Sequence, residues 1–257
     1  MDISAVIITC NEEKRLENAL RSLRSLAKEV VVVDSRSTDA TVKLAKKYGC
    51  RVFVRDWTNY SDQKNFGNAK ASHPWILSLD ADERVSAELK TEILGLPAGD
   101  PACNAYSIPR LVRYLGRWIR HSGWYPDRRV RLFLRTAGRW EGEYVHEKLV
   151  LKGRVGKLRN PIHHFTYRDI SDHVSRINSF SELGAKKLYA GRKKCRFHHL
   201  LFLPPARFIR SYILRRGFLD GFAGLVISVL NGYAIFLRYA KLREIWKKGE
   251  RIEPVSY

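Results

Sequence analysis

Asp80 and Asp82 flank a single alanine directly after an apolar run, Trp75–Leu79. Two carboxylates this close repel one another unless a cation lies between them or each hydrogen-bonds outward. A hard divalent ion, Mg2+ or Mn2+, takes oxygen ligands of this kind and bridges them to substrate phosphates. In that place it neutralises charge building on a diphosphate leaving group. The bland alternative is a solvated acidic turn capping a helix that begins near Ser86. Position favours the ion site, because the pair ends a strand and similar polar clusters end other strands.

Asp34 is the second signal. It closes a run of four valines, Val30–Val33. Its carboxylate is therefore expected at a rim, accepting from a base N–H or a ribose hydroxyl. Its alternative is a turn initiator before Ser35-Arg36-Ser37, and Asp39 reads as an ordinary helix-start residue. Lys64, one turn into a helix, is a candidate contact for a diphosphate, against the reading of a solvated lysine. A third group is aromatic and charged: Trp124-Tyr125-Pro126-Asp127, Arg131, and Arg139 to Glu147. Ring faces stack on the apolar faces of pyranoses, and carboxylates accept from sugar hydroxyls. Trp124, Tyr125, Asp127, Arg131 and Trp140 are therefore expected to line an acceptor site. No Walker loop and no GxGxxG fingerprint occurs.

The elements that must position these residues alternate strand and helix over the first hundred positions. Apolar runs at Ala5–Thr9, Val30–Val33, Arg51–Val54 and Trp75–Leu79 read as strands. Leu16, Ala19, Leu20 and Leu23 recur at helical spacing, as do Val42, Ala45 and Tyr48. A helix is expected from about Asp62 to Ala71, with Ser61 as its cap. Such alternation implies a mostly parallel α/β sheet with ligands beyond the carboxyl ends of its strands. Val130–Leu134 and Val145–Leu151 read as antiparallel strands. Asp169–Ala190 reads as a helix with Ile170, Val174, Ile177, Phe180 and Leu183 on one side.

The chain has 257 residues and a formal net charge of +21, so it needs a polyanionic neighbour. Nucleic acid, anionic lipid and phosphorylated substrate all qualify by charge. No RNA-recognition, zinc-finger or helix-turn-helix signature is present, and strand-end carboxylates repel phosphate without a metal, so nucleic acid is not the expected partner. A metal-dependent nucleotidyltransferase is the enzymatic alternative, and a basic nucleic-acid-binding protein the non-enzymatic one. Cys10, Cys50, Cys103 and Cys195 form no CxxC pair, which excludes zinc and redox motifs of that type. No basic start and cleavage site precedes the first strand, so a cytoplasmic domain is expected.

Taken together, Thr-x-Asn-Glu after the first strand, Asp-x-x-Ser-Thr-Asp after the second and Asp-x-Asp after the fourth resemble the large inverting glycosyltransferase family two, of GT-A fold. Trp-Tyr-Pro-Asp, Arg-Leu-Phe and Val-His-Glu resemble its lipopolysaccharide-core β-1,4-glucosyltransferase branch. The resemblance is strong from Ile3 to about Leu151. It implies a GT-A, Rossmann-like nucleotide-sugar domain over 1–165, with a nucleotide-binding half (1–100) and an acceptor half (101–165). Thr9, Asn11, Glu12, Asp34, Lys64 and Asp80 would bind the nucleotide-sugar donor. Asp80 and Asp82 would hold the metal. Glu147 falls where the family's catalytic base sits, although many members have Glu-Asp where this chain has His-Glu; Glu141 and Glu143 are its rivals. The acceptor would be a saccharide or a lipid-linked core.

Residues 166–257 are expected to form a helical, membrane-associated appendage. Pro204-Pro205 is expected to start a basic amphipathic segment, with Phe208, Ile209, Tyr212 and Ile213 beside Arg207, Arg210, Arg215 and Arg216. Gly221–Leu237 carries no charged side chain. A buried helix, a short span and an interfacial hairpin compete there. A monotopic seat on the cytoplasmic face of the inner membrane is expected, because a single crossing would carry the basic stretch Lys241–Arg251 to the far side.

Overall fold

The computed structural model describes residues 1–97, 103–142 and 147–248. The chain divides into two compact units: Met1–Arg110 with Asp127–His164, and Leu111–Pro126 with the chain from Phe165 onward. The segment 111–126, read from sequence as acceptor half, groups with the C-terminal helices.

In the first unit, strands β1 (Ile3–Thr9), β2 (Glu29–Asp34), β3 (Arg51–Val54) and β4 (Trp75–Asp80) run parallel. Helices α1 (Glu13–Leu23), α2 (Thr41–Lys47) and α3 (Tyr60–Lys70) connect them. Beyond β4 come the short β5 (Glu83–Val85), α4 (Ala87–Leu94), β6 (Ala105–Tyr114), β7 (Arg117–Ile119) and β8 (Asp127–Leu134). A hairpin, β9 (Gly138–Glu141) with β10 (Lys148–Leu151), stands apart from the main sheet. β11 (Val155–Lys157) and β12 (Ile162–His164) complete the strands. The main sheet runs β3-β2-β1-β4-β8-β6-β12-β5, with β11 beside β6; it turns antiparallel at the β4–β8 pair. The fold is α/β, with a parallel half over β1 to β4 and antiparallel strands beyond it.

β1 is mostly apolar, with Ser4 and Thr9 its polar residues, because both of its faces are covered, as parallel strands require. Ala5 and Ile7 pack with Leu16, Ala19, Leu20 and Leu23 of α1, while Val6 packs on the opposite side with Val31, Val33, Ile76 and Phe133. Each such aliphatic side chain stabilises the fold by roughly 1.5–3 kcal/mol on burial.

α3 is built differently. Its buried residues are Ser61, Gln63, Lys64, Gly67 and Asn68, so hydrogen bonds rather than apolar area hold much of it. Gln63 Nε2 donates to the Asp56 carbonyl, Ser61 Oγ to the Gly142 carbonyl, and Asn65 pairs with both backbone groups of Trp140. Its cap is Asn59, which accepts from the Asp62 N–H at 2.8 Å, rather than the expected Ser61. Gly67 lets the helix approach the sheet, since a Cβ there would stand 2.5 Å from a Val6 methyl and 3.1 Å from one of Val33.

In the second unit, β7 pairs with the end of β6. α5 (Ile170–Ala190) is capped by Asp169, whose side chain accepts from the Asp172 N–H at 2.7 Å. Its buried residues are His173, Ile177, Ser181 and Ala185. Of the apolar face expected from sequence, Ile177 is buried, whereas Ile170 and Phe180 are exposed, because polar residues fill the packed side. α6 (Phe197–Ile209) carries Pro204 and Pro205 in its interior, so the prolines do not begin the helix. A π-helical turn (Arg210–Leu214) and a 3-10 turn (Gly217–Asp220) lead into α7 (Gly221–Lys248), which packs on α5 and α6. Gly232 of α7 faces the Pro204 carbonyl at 3.0 Å from an ideal Cβ, allowing close approach.

α7 is neither fully buried nor fully free. Ala223, Gly224, Ile227, Ser228 and Leu230 are buried, while Phe222, Leu225, Val229, Tyr233 and Phe236 form an exposed stripe at helical spacing, Phe222 being 69% exposed. The segment Gly217–Lys248 is long and apolar enough to cross a membrane by length and composition.

Two stability measurements check this account. Gly67→Ala gains helix propensity of up to about 1 kcal/mol but overpacks the α3–sheet contact, which typically costs about 1–3 kcal/mol. A lowered thermal midpoint is expected; an unchanged or raised one contradicts the close approach. His173 is the second case. Its ring stacks on Tyr167, with centroids 4.1 Å apart, and its Nδ1 lies 3.0 Å from the Tyr114 hydroxyl. Burial pushes its pKa down to about 4, against the pull of Asp172 and with help from Arg176. The unfolded ring protonates near 6.5. Stability from this site is therefore complete above about pH 6.5 and is lost as pH falls toward 4, by an amount on the order of 2–3 kcal/mol. Urea unfolding at pH 7 and 4.5 should show a smaller pH dependence in His173→Gln than in the wild-type chain; equal dependences would exclude this role.

Candidate functional site

Register sets the site. Thr9 pairs with Asp34 across β1 and β2, and Ile8 with Asp80 across β1 and β4, so these strand ends finish level. The two loops after β1 and β2 are laced together. Asp34 is fully buried, and its carboxylate accepts from Thr9 Oγ1 at 2.9 Å, Ser37 N–H at 2.8 Å and Ser37 Oγ at 2.6 Å. Asn11, at φ 55°, accepts from the Thr38 N–H with its side chain and donates its own N–H to Ser37 Oγ. The Glu12 N–H reaches Thr41 Oγ1 at 2.8 Å, and Asp39 receives the N–H groups of Glu13 and Thr41. Asp34 thus serves as a brace in this structure rather than as an open acceptor at the rim: donors at three sides leave it no exposed surface.

Beneath the end of β4 lies a buried charge network. Arg131, 4% exposed, donates through Nη2 to Asp80 and, at 2.6 Å, to Glu83, which is fully buried. Arg110 also reaches Glu83, at 3.3 Å, and pairs with Asp127. Glu83 Oε2 accepts the Asp80 N–H at 3.1 Å. Burial alone would raise the Asp80 pKa, but Arg131 and then Lys64 outweigh it and hold the carboxyl well below its usual range. Burial works against the Arg131 guanidinium too, and Asp80 and Glu83 more than offset it, keeping its pKa raised. Arg131 and Asp127, expected at the acceptor, belong to this network, because a buried guanidinium needs carboxylates on more than one side.

Lys64, 4% exposed, links the network to the hairpin. Its Nζ lies 3.7 Å from Asp80 Oδ1 and 3.2 Å from Glu147 Oε1, and 4.4 Å from the centre of the Trp140 ring. The reading of a solvated lysine is thereby excluded. Trp140 is buried against Phe133 and is a wall of the core rather than an open sugar platform. Glu141 is exposed on β9, opposite Lys148 in register, while Glu143 lies outside the described residues.

Asp82 takes different partners from Asp80: His164 Nε2 at 3.4 Å and Arg15 at 4.0 Å. The two aspartates are thus committed to separate contacts, unlike the shared site expected from their spacing. Among the described residues no three His, Cys, Asp or Glu side chains gather as a ready metal site. His164, Glu83, Arg110 and Arg15 went unassigned in the sequence. The one cue for His164 was the pair His163-His164 ending a short apolar stretch, far along the chain from Asp82. Trp124 and Tyr125 fall in the second unit, where Trp124 packs with Tyr114, Tyr167 and His173.

The sequence model of the family described as glycosyl transferase family 2 matches residues 4–153. The chain belongs to this family. An uncharacterized glycosyltransferase of Rickettsia typhi is 33% identical, covering 97% of this chain and 89% of that protein. The lipopolysaccharide core biosynthesis glycosyltransferase LpsC of Rhizobium meliloti is 31% identical over 93% of this chain and 94% of its own length. Among solved structures, S. aureus TarS residues 1–349 in complex with UDP is 16% identical, covering 99% of this chain and 94% of that one, at a TM-score of 0.47. The span that matches the glycosyltransferase family includes the level strand ends, Lys64 and Glu147, and stops short of His164.

In this glycosyltransferase, removing Arg131 leaves Glu83 buried beside Asp80 without its main counter-charge. Arg131→Met should cost about 3–5 kcal/mol of stability, read by denaturant unfolding. Loss of less than about 1 kcal/mol, the range of an exposed pair, would show that the network is not what supports the end of β4.

Proposed function

We propose that this glycosyltransferase moves a hexose, by inverting displacement, from a nucleoside-diphosphate sugar to a saccharide or lipid-linked acceptor of the lipopolysaccharide-core kind. One observation carries the reading: Lys64 joins Asp80 at the end of β4 to Glu147, the residue just before β10, 3.7 and 3.2 Å away. The relationship to LpsC supports the acceptor class. The braced loops after β1 and β2 offer Thr9, Asn11 and Glu12 as the wall against which a base and ribose rest, with Asp34 acting through them.

Glu147 is the proposed general base. It takes the proton of the acceptor hydroxyl as that oxygen attacks the anomeric carbon, and one attack without a covalent intermediate inverts the centre. Before that step, donor binding draws Lys64 from its carboxylate partner to the diphosphate, which frees Glu147 to accept the proton. The Trp140 ring faces the Lys64 ammonium at 4.4 Å and adds a cation–π contact. Asp82 and His164 would hold a divalent ion, Mg2+ or Mn2+, completed by donor oxygens: the pair supplies one hard oxygen and one imidazole nitrogen, and His164 Nδ1 is buried without a partner. Bound there, the ion would supply charge neutralisation on the leaving diphosphate. Asp80, which Arg131 and Lys64 already neutralise, orients those cations.

The unburied apolar stripe of α7 and the basic residues before it support a monotopic seat on an anionic membrane surface, at the cytoplasmic face of the inner membrane.

Glu147→Gln should lower turnover by about 10²–10⁴-fold while donor affinity, measured calorimetrically, stays near wild type. Asp82→Asn should weaken metal-dependent donor binding without loss of thermal stability. Nucleoside diphosphate release in the presence of acceptor is the readout. Near-normal turnover of Glu147→Gln beside an inactive Glu141→Gln or Glu143→Gln would move the base to that residue, and pyrophosphate as product would replace glycosyl transfer by nucleotidyl transfer.

A further inference from the structure

The second unit contains a recess of about 100 Å³ that the transfer chemistry does not use. Arg207, Arg210 and Arg215 stand around it, over a floor that includes Ser122, Ser211 and Asn231. The backbone brings them together. The π-helical turn after α6 places Arg210 and Ser211 at its start and Arg215 just past its end, and the Arg215 N–H closes it on the Arg210 carbonyl. The Arg215 carbonyl then receives the Ser122 N–H at 3.0 Å, which fixes the loop from β7 against the turn. Gly123, at φ +81°, lies against the Arg215 side chain. π-turns of this kind concentrate at functional sites.

Two features of the recess stand out. Arg207, Arg210 and Arg215 are exposed, have no ion-pair partner among the described residues and lie close together: burial, then Arg210, Arg215 and Arg238, lower the pKa of Arg207. The second is Ser122, which is buried with its Oγ lacking any hydrogen-bond partner. Its neighbours are satisfied: Ser211 Oγ lies 3.1 Å from the Ser122 carbonyl, and Asn231 Nδ2 donates to Ser211 Oγ at 3.0 Å. Like charges gathered around a recess of about three water volumes, with a buried unsatisfied hydroxyl among its lining residues, favour a compact, multiply charged oxyanion.

We propose that this recess binds a phosphate group. Guanidinium forks match phosphate oxygens two at a time, which a carboxylate of equal charge exploits less fully because it has fewer oxygens. The surroundings favour a phosphate carried on an amphiphile: Ile209, Ile213, Phe218 and Leu214, the last 73% exposed, are unburied on the same turns. The site does not rest on the glycosyl-transfer reading, and its test uses no sugar donor.

The test is flotation of the full-length protein with vesicles of digalactosyldiacylglycerol, a neutral lipid without phosphate, carrying either phosphatidic acid or oleic acid at matched surface charge. The wild-type chain should bind the phosphate-bearing vesicles at least about tenfold more tightly. Arg210→Lys with Arg215→Lys keeps the charge and should lose that preference while still binding both vesicles; Arg210→Gln with Arg215→Gln should lose the preference and weaken both. Ser122→Ala should reduce the preference severalfold, and Lys193→Gln with Lys194→Gln, away from the recess, should leave it intact. Thermal melts identify any variant that fails to fold. Competition by millimolar inorganic phosphate would assign the site to free phosphate as well, and persistence of the preference in its presence would assign it to the lipid headgroup. Equal binding of the wild-type chain to the two vesicles overturns the proposal without reference to any variant. So does a preference that folded Arg210→Lys/Arg215→Lys and Ser122→Ala proteins both retain in full.

Discussion

Arg131 lies between Asp80 and Glu83 where the parallel sheet ends, and this buried guanidinium conditions the rest of the first unit. A charge removed from water is tolerated only when carboxylates surround it. Here one of those carboxylates belongs to the last residue of β4 and the other to the first residue of β5. The pairing therefore holds the chain in its turn between the two strands. It also neutralises part of the Asp80 charge, so Lys64, 3.7 Å away on α3, has Glu147 at 3.2 Å as its nearer carboxylate. Arg110 and Asp127 extend the same balance across β6 and β8.

The second constraint is the docking of α3. An ordinary surface helix presents an apolar stripe to the core. α3 instead buries amides, a hydroxyl, a lysine and a glycine, and fastens to the β9 hairpin through Ser61 and Asn65. The helix that carries Lys64 and the segment that leads to Glu147 are thereby tied by directional bonds. Gly67 sets how deeply the helix sits, because its missing side chain is where Val6 and Val33 pack.

The C-terminal unit follows another logic. α7 divides its circumference between small residues that admit α5 and α6 and large apolar residues left outside. Gly232 and Gly224 belong to the first set, each at a point where another backbone approaches. Such a helix is stabilised on one side by protein and on the other leaves an apolar stripe of the kind that marks an interaction surface.

The sequence by itself determined the strands of the parallel sheet, because a strand covered on both faces is built mostly of apolar residues, as β1, β2 and β4 are, with polar residues confined to Ser4, Ser78 and the strand ends. It also determined the family, since the polar motifs fall at fixed places after those runs, and it singled out Lys64, Asp80, Asp82 and Glu147 by type and position. Local signals misled where polar residues do the packing. α5 buries His173 and Ser181 in place of the expected Phe180, and α3 is capped by Asn59, one of several eligible residues in that loop. Only the tertiary structure decided what each carboxylate does. Asp34 and Asp82 look alike along the chain, yet Asp34 is closed in by Thr9 and Ser37, while Asp82 meets His164, a residue from β12 that no spacing rule connects to it. A side chain's role depends on which charges and donors surround it, and those neighbours come from strands far apart in sequence that only folding brings together.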